Sequence, residues 1–168
     1  MKLLLKWAWL GAIGFGLVLV ASGAFMVYQG RVAHNDVRDT LADERIISSE
    51  DADIPLAEVD SAAEAKAQAE AIREHALALS GGKTYAEMAR DDPNRATYLN
   101  SVTLRTALME SYLAFKVGDL VVGVGIIIAL MGLSHVALGA FLGLLVLKGD
   151  AFGETKPVAA GRTVTAQG

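Results

Sequence analysis

The feature that most restricts this chain is where its charges are missing. From Trp7 to Tyr28 there are 22 residues without an Asp, Glu, Lys or Arg, and from Leu120 to Leu147 there are 28. As a helix the first run is about 33 Å long, the thickness of a bilayer's hydrocarbon, so it predicts one membrane crossing. The second is about 42 Å long, too short for two crossings, and is expected to tilt or to protrude at one end. Lys2 and Lys6 precede the first run with no acid nearby, Trp7 and Trp9 stand at an inner aromatic belt, and Tyr28 stands at an outer one, which puts the N-terminus in the cytoplasm. Tyr112, Phe115 and Lys116 mark the outer approach to the second run, and Lys148 marks its inner exit. A competing reading is a cleaved secretory signal ending at Ala21-Ser22-Gly23-Ala24; against it, the apolar run continues to Tyr28.

The expected organisation is a cytoplasmic N-terminus (1–6), a transmembrane helix (7–28), an extracytoplasmic helical domain (29–116), a second transmembrane helix (117–147) and a disordered cytoplasmic tail (148–168). The expected fold class is all-α, an integral membrane protein with two transmembrane helices. Arg31 to Lys116 holds ten basic and sixteen acidic residues within a chain of net charge −4, so it offers no basic footprint for nucleic acid. The chain has no cysteine, which excludes disulfides, thiolate metal sites and a lipoprotein anchor.

Within the domain the helix signals are local and strong. Ser61-Ala62-Ala63-Glu64 is a capping box, Ala65, Ala69, Ile72, Ala76 and Leu79 follow as a narrow apolar stripe, and Gly81-Gly82 ends the helix. Thr84 to Glu87 repeats the box and predicts a short helix near Tyr85 and Met88. Asp92-Pro93 opens a long helix running to about Leu147. Val37 and Leu41, joined by His34, carry the first helix outward to near Arg45–Ser48. Ser48 to Asp60, with five acids and Pro55, reads as a connecting loop. The picture is a helical hairpin with a shorter helix against its outer half, without a sustained heptad array.

Both apolar runs are dense in glycine, which lipid does not require. Small residues four apart mark candidate helix-contact faces: Ala8, Ala12 and Gly16, then Gly125 with Ala129, and Gly139 with Gly143. A foreign membrane protein and self-packing are equally compatible partners for them. Asp119 and His135 are the polar groups to explain in the second run. Asp119 lies at the outer edge with Lys116 three residues before it, a solvated interfacial pair. His135 has only Ser134 as a polar neighbour and reads as a helix-contact imidazole.

No nucleotide-binding loop, hydrolase elbow or zinc-helix motif occurs. A facial metal triad would need His34 and His75 together with a carboxylate such as Glu70 or Glu74, and the two histidines stand on different predicted helices. No catalytic, cofactor-binding or metal-binding residue is assigned, and no cofactor is implied.

Four stretches carry a resemblance: Leu41-Ala42-Asp43-Glu44-Arg45-Ile46, Ala67-Gln68-Ala69-Glu70-Ala71-Ile72 leading to His75-Ala76-Leu77, Gly81-Gly82-Lys83-Thr84-Tyr85-Ala86-Glu87, and Asp92-Pro93-Asn94-Arg95-Ala96-Thr97. Together, over roughly residues 41–133, the chain resembles a family of small actinobacterial membrane proteins with two spans, whose members are often designated subunits of an aromatic-ring-opening dioxygenase. The resemblance implies an actinobacterial source and a domain outside the cytoplasmic membrane, and it supplies no catalytic residues. The expected function is a non-enzymatic accessory or structural subunit of a membrane complex. The alternatives are a membrane-anchored dioxygenase-like metalloenzyme using His34 and His75, and an extracytoplasmic sensor signalling through the tail.

Overall fold

The computed structural model describes residues 2–152 and contains three helices: α1 (Lys2–Asp43), α2 (Ala62–Leu79) and α3 (Arg95–Phe152). Among the described residues there is no strand, only an isolated antiparallel bridge between Ile47 and Glu58. α1 from Trp7 and α3 as far as Lys148 are long and apolar enough to cross a membrane. α3 continues past Leu147 to Phe152, and the rest of the predicted tail lies outside the described residues. The chain divides into two compact units, Ala21–Ala129 and the two terminal parts that flank it.

In both units α1 and α3 are antiparallel neighbours in contact through glycine. In the terminal unit Gly16 faces Gly132: a Cβ on either would lie 2.6 Å from the other's carbonyl oxygen. In the central unit a Cβ on Gly23 would lie 2.5 Å from the Gly125 oxygen, and one on Gly118 would lie 3.3 Å from the Gly30 oxygen. These glycines recur every seven residues on each helix. The repeat bears on the expected contact faces. On α1 the row Ala8, Ala12 and Gly16 leaves the contact face, because each step of four turns a row about 40° around the helix whereas a step of seven turns it only about 20°. Accordingly Gly16 is buried, Ala12 is half-buried and Ala8 is exposed; Trp9 holds the seam position instead, against Gly139 and Gly143. Gly125 with Ala129, and Gly139 with Gly143, do lie on the seam, and their partners belong to this same chain.

α2 packs on the central unit through small residues. Ala65 and Ala69 are fully buried in a cluster with Leu41, Val59, Leu108 and Phe115, while Ala67 and Ala71 bury a second face against Ala52 and Ile54 of the connecting loop. The Ser61 hydroxyl accepts the Ala63 N–H (3.2 Å) and donates to Glu64, so the capping glutamate reaches the hydroxyl where the sequence pattern has it reach the cap's N–H. The helix ends as predicted. Gly81, at φ +66°, lets the Gly82 N–H return to the Leu77 carbonyl (2.7 Å) and the Gly81 N–H to that of Ala78.

Thr84–Met88 is a turn and not the predicted short helix. Glu87 accepts both the N–H and the hydroxyl of Thr84 (2.8 Å each), so the box forms, but too few residues separate it from Asp92 for a helix to follow. The Asp92 carboxylate accepts the Asn94 N–H (2.8 Å), and α3 starts just after it, at Arg95.

The connecting loop is more structured than its composition suggests. Buried Ser48 donates from Oγ to the Ile54 carbonyl (2.6 Å), and the same oxygen accepts the Ala57 N–H (2.9 Å). Gln68 of α2, also buried, accepts the Ser49 N–H (2.8 Å). The tight return places Leu56 at φ +53°, left-handed backbone that an L-residue pays for in steric strain.

Gly125→Ala should destabilise the protein by about 1–3 kcal/mol through overpacking. Gly123→Ala, where the new methyl meets nothing within 4 Å, should be neutral or stabilising by up to about 1 kcal/mol through helix propensity. Thermal unfolding of both variants in mild detergent measures the contrast.

Candidate functional site

Several ionisable residues form small separate groups with a visible structural task. His75 on α2 lies 2.6 Å (Nε2 to Oδ2) from Asp51 of the connecting loop, and both are largely exposed. That hydrogen bond holds the Asp51 carboxyl below its usual value. The Glu87 carboxyl is likewise lowered, first by the Thr84 N–H and then by its hydroxyl.

His34 on α1 stands at the other candidate position. Its ring meets Phe115 edge-on at 4.8 Å, and Nδ1 lies 3.6 Å from Asp119. Asp119 also faces Lys116 at 3.9 Å, the pairing expected from their spacing. All three side chains are about half exposed, so the cluster is solvent-accessible and its separations are those of loose ion pairs. The second partner, His34, could not be anticipated from spacing, since it arrives from the other helix through the α1–α3 register.

The two histidines therefore pair with different carboxylates, Asp119 and Asp51. Among the described residues no three His, Asp or Glu side chains form a group able to hold a metal ion. His135 makes a helix contact: Nδ1 lies 2.8 Å from the Met131 carbonyl one turn earlier, and the ring meets Phe15 of α1 edge-on at 5.4 Å.

A further polar anchor escaped sequence reasoning. Arg95, the first residue of α3, donates from Nη1 to the carbonyls of Tyr85 (3.0 Å) and Met88 (2.8 Å). Its guanidinium also covers the Tyr85 ring at 4.0 Å. It thereby closes the turn onto the cluster of Ala76, Met88 and Tyr98. An Asp-Pro-Asn-Arg start signals a helix but not where its arginine reaches.

These arrangements bind loops to helices and helices to each other. No protein-family model matches the chain, and neither a curated protein nor a solved structure is significantly similar to it.

The Asp51–His75 bond has a testable pH dependence. Because the folded-state pKa of Asp51 is depressed, the bond contributes stability above the unfolded carboxylate value of about 3.9 and loses it as pH falls through the lower folded value. Asp51→Asn should thus be less stable than the unmodified chain at about pH 5 and converge with it in stronger acid. Thermal melts of both proteins across that range provide the measurement.

Proposed function

We propose that this protein is a two-span membrane anchor that presents its central helical domain on the extracytoplasmic side and serves as a non-enzymatic accessory or structural subunit of a larger membrane complex. The observation that carries this reading is the disposition of the apolar surface. The most apolar windows of α1 and α3 are each only 11% buried, whereas the core helix of a soluble protein would be mostly covered. Gly16, Gly23, Gly125 and Gly132 turn inward to the seam while Phe15, Leu17, Val18, Ile127 and Leu130 point outward, which suits a pair of helices immersed in hydrocarbon. Lys2 and Lys6 ahead of the first run support a cytoplasmic N-terminus, and two crossings return the chain to that side.

The accessory role is supported by what the polar groups do. Asp51, His75 and Arg95 are engaged in fixing loops to helices, and Glu87 in closing the turn at Thr84. Rigid presentation of a surface is the task such a construction serves best.

Two measurements test the reading. The cysteine-free chain permits single-cysteine labelling without background. In intact cells Lys83→Cys should react with a membrane-impermeant maleimide and Lys2→Cys only after permeabilisation; the reverse pattern overturns the orientation. Extracted in mild detergent, the native protein should migrate with a stoichiometric partner, and a strictly monomeric species overturns the accessory role.

A further inference from the structure

Three cavities of the central unit share lining residues in series. One of about 580 Å³ lies between α1 and α3 and is lined by Gly30, Val37, Ala114 and Val121 among others. A second of about 330 Å³ shares Val37 and Ala114 with it and adds Thr40 and Ser111. A third of about 430 Å³ shares Thr40 and Ser111 and reaches Ile72 of α2 and Leu104 and Leu108 of α3. They make one groove, about 26 Å long between Val121 and Leu104 along α3.

The groove asks nothing polar of an occupant. The Thr40 hydroxyl donates to the Asp36 carbonyl (2.7 Å) and the Ser111 hydroxyl to the Ala107 carbonyl (3.1 Å), each within its own helix. The Gln68 oxygen takes the Ser49 N–H. Apart from Gln29 and the carboxylates of Asp36, Glu44 and Glu110, what remains is hydrocarbon, with Leu104 exposed in the domain expected to face water. One end, at Gly118 and Val121, lies where the uncharged run of α3 begins, so with the spans in a bilayer the groove opens at its surface. Its rim carries Asp36, Glu44 and Glu110, a field that repels an anionic headgroup.

We propose that this groove holds one acyl chain of a membrane lipid whose headgroup is zwitterionic or neutral, drawn from the adjoining leaflet. The proposal rests on the membrane reading above. A hydrocarbon chain passing from the bilayer into the groove stays in an apolar environment and leaves no buried polar group without a partner.

The test uses the full chain reconstituted in phosphatidylcholine vesicles containing phosphatidylcholine with a diazirine at the end of one acyl chain. After photolysis, adducts are mapped by mass spectrometry. Adducts are expected at Leu104 or Ala107 as well as along both spans, and Ala114→Phe, which narrows the groove midway, should remove those at Leu104 and Ala107 several-fold while sparing the spans. Should Ala114→Phe lose its helicity by circular dichroism, Ser111→Leu serves the same purpose. Adducts confined to the spans overturn the groove assignment and leave the membrane reading standing; adducts nowhere overturn both. Equal groove labelling by a diazirine phosphatidylglycerol overturns the headgroup preference. A cross-linked species of twice the chain mass, with the groove unlabelled, assigns the groove to a second copy and overturns the proposal.

Discussion

The rest of the structure depends on how closely two helix backbones can approach. Where Gly16 faces Gly132, and where Gly23 faces Gly125, no side chain separates the helices, and even one methyl group would overlap a carbonyl oxygen. In hydrocarbon there is no hydrophobic drive to hold two helices together, so the gain comes from dense van der Waals contact, which falls away steeply with separation. Spacing the glycines by seven keeps them on one line along each helix. It also fixes the register, since a slip of one residue would turn the glycines out of contact and bring side chains in.

In the central unit that register has consequences beyond the glycines. With Gly30 opposite Gly118, His34 lies beside Phe115 and Asp119, and Leu41 reaches Leu108. Leu41, Leu108 and Phe115 form the floor on which α2 lies. Because α2 meets that floor with Ala65 and Ala69, its axis sits close and few side-chain rotamers are frozen in packing it. Its second face, Ala67 and Ala71, needs cover, and the loop supplies it through Ala52 and Ile54. Ser48 and Gln68 keep that loop in place by satisfying backbone groups that would otherwise be buried without partners.

What was legible in the sequence follows the range of the interaction. The cap at Ser61 and the glycine stop after Leu79 are set by residues within a few positions of one another, and the structure has them where the pattern puts them; α3 starts at Arg95, two residues beyond the expected Pro93. The existence and continuity of α1 and α3 were equally plain from their composition. The contact face was not: rows of four and rows of seven both occur among so many small residues, and only a facing helix decides between them. The box at Thr84 forms as its spacing predicts, but no helix follows it. Ser48, Val59 and Arg95 gave no local signal, because their partners lie elsewhere in the chain or depend on a loop path that spacing does not determine.

The internal use of the glycines also changes where an external partner can bind. A glycine face already filled by the chain's own second helix cannot serve another protein without first opening the hairpin, at the expense of every contact along that stretch of seam. Gly11, Gly14 and Gly123, which point into open space, are too scattered to replace it. On the membrane reading proposed above, a partner would therefore engage the outward apolar side chains of α1 and α3, in competition with lipid, or the surface of the central unit. The second choice has a physical advantage. The central unit carries polar and charged groups along with its exposed apolar ones, so it can discriminate between partners by charge and hydrogen bonding, which lipid-facing leucines and valines cannot do.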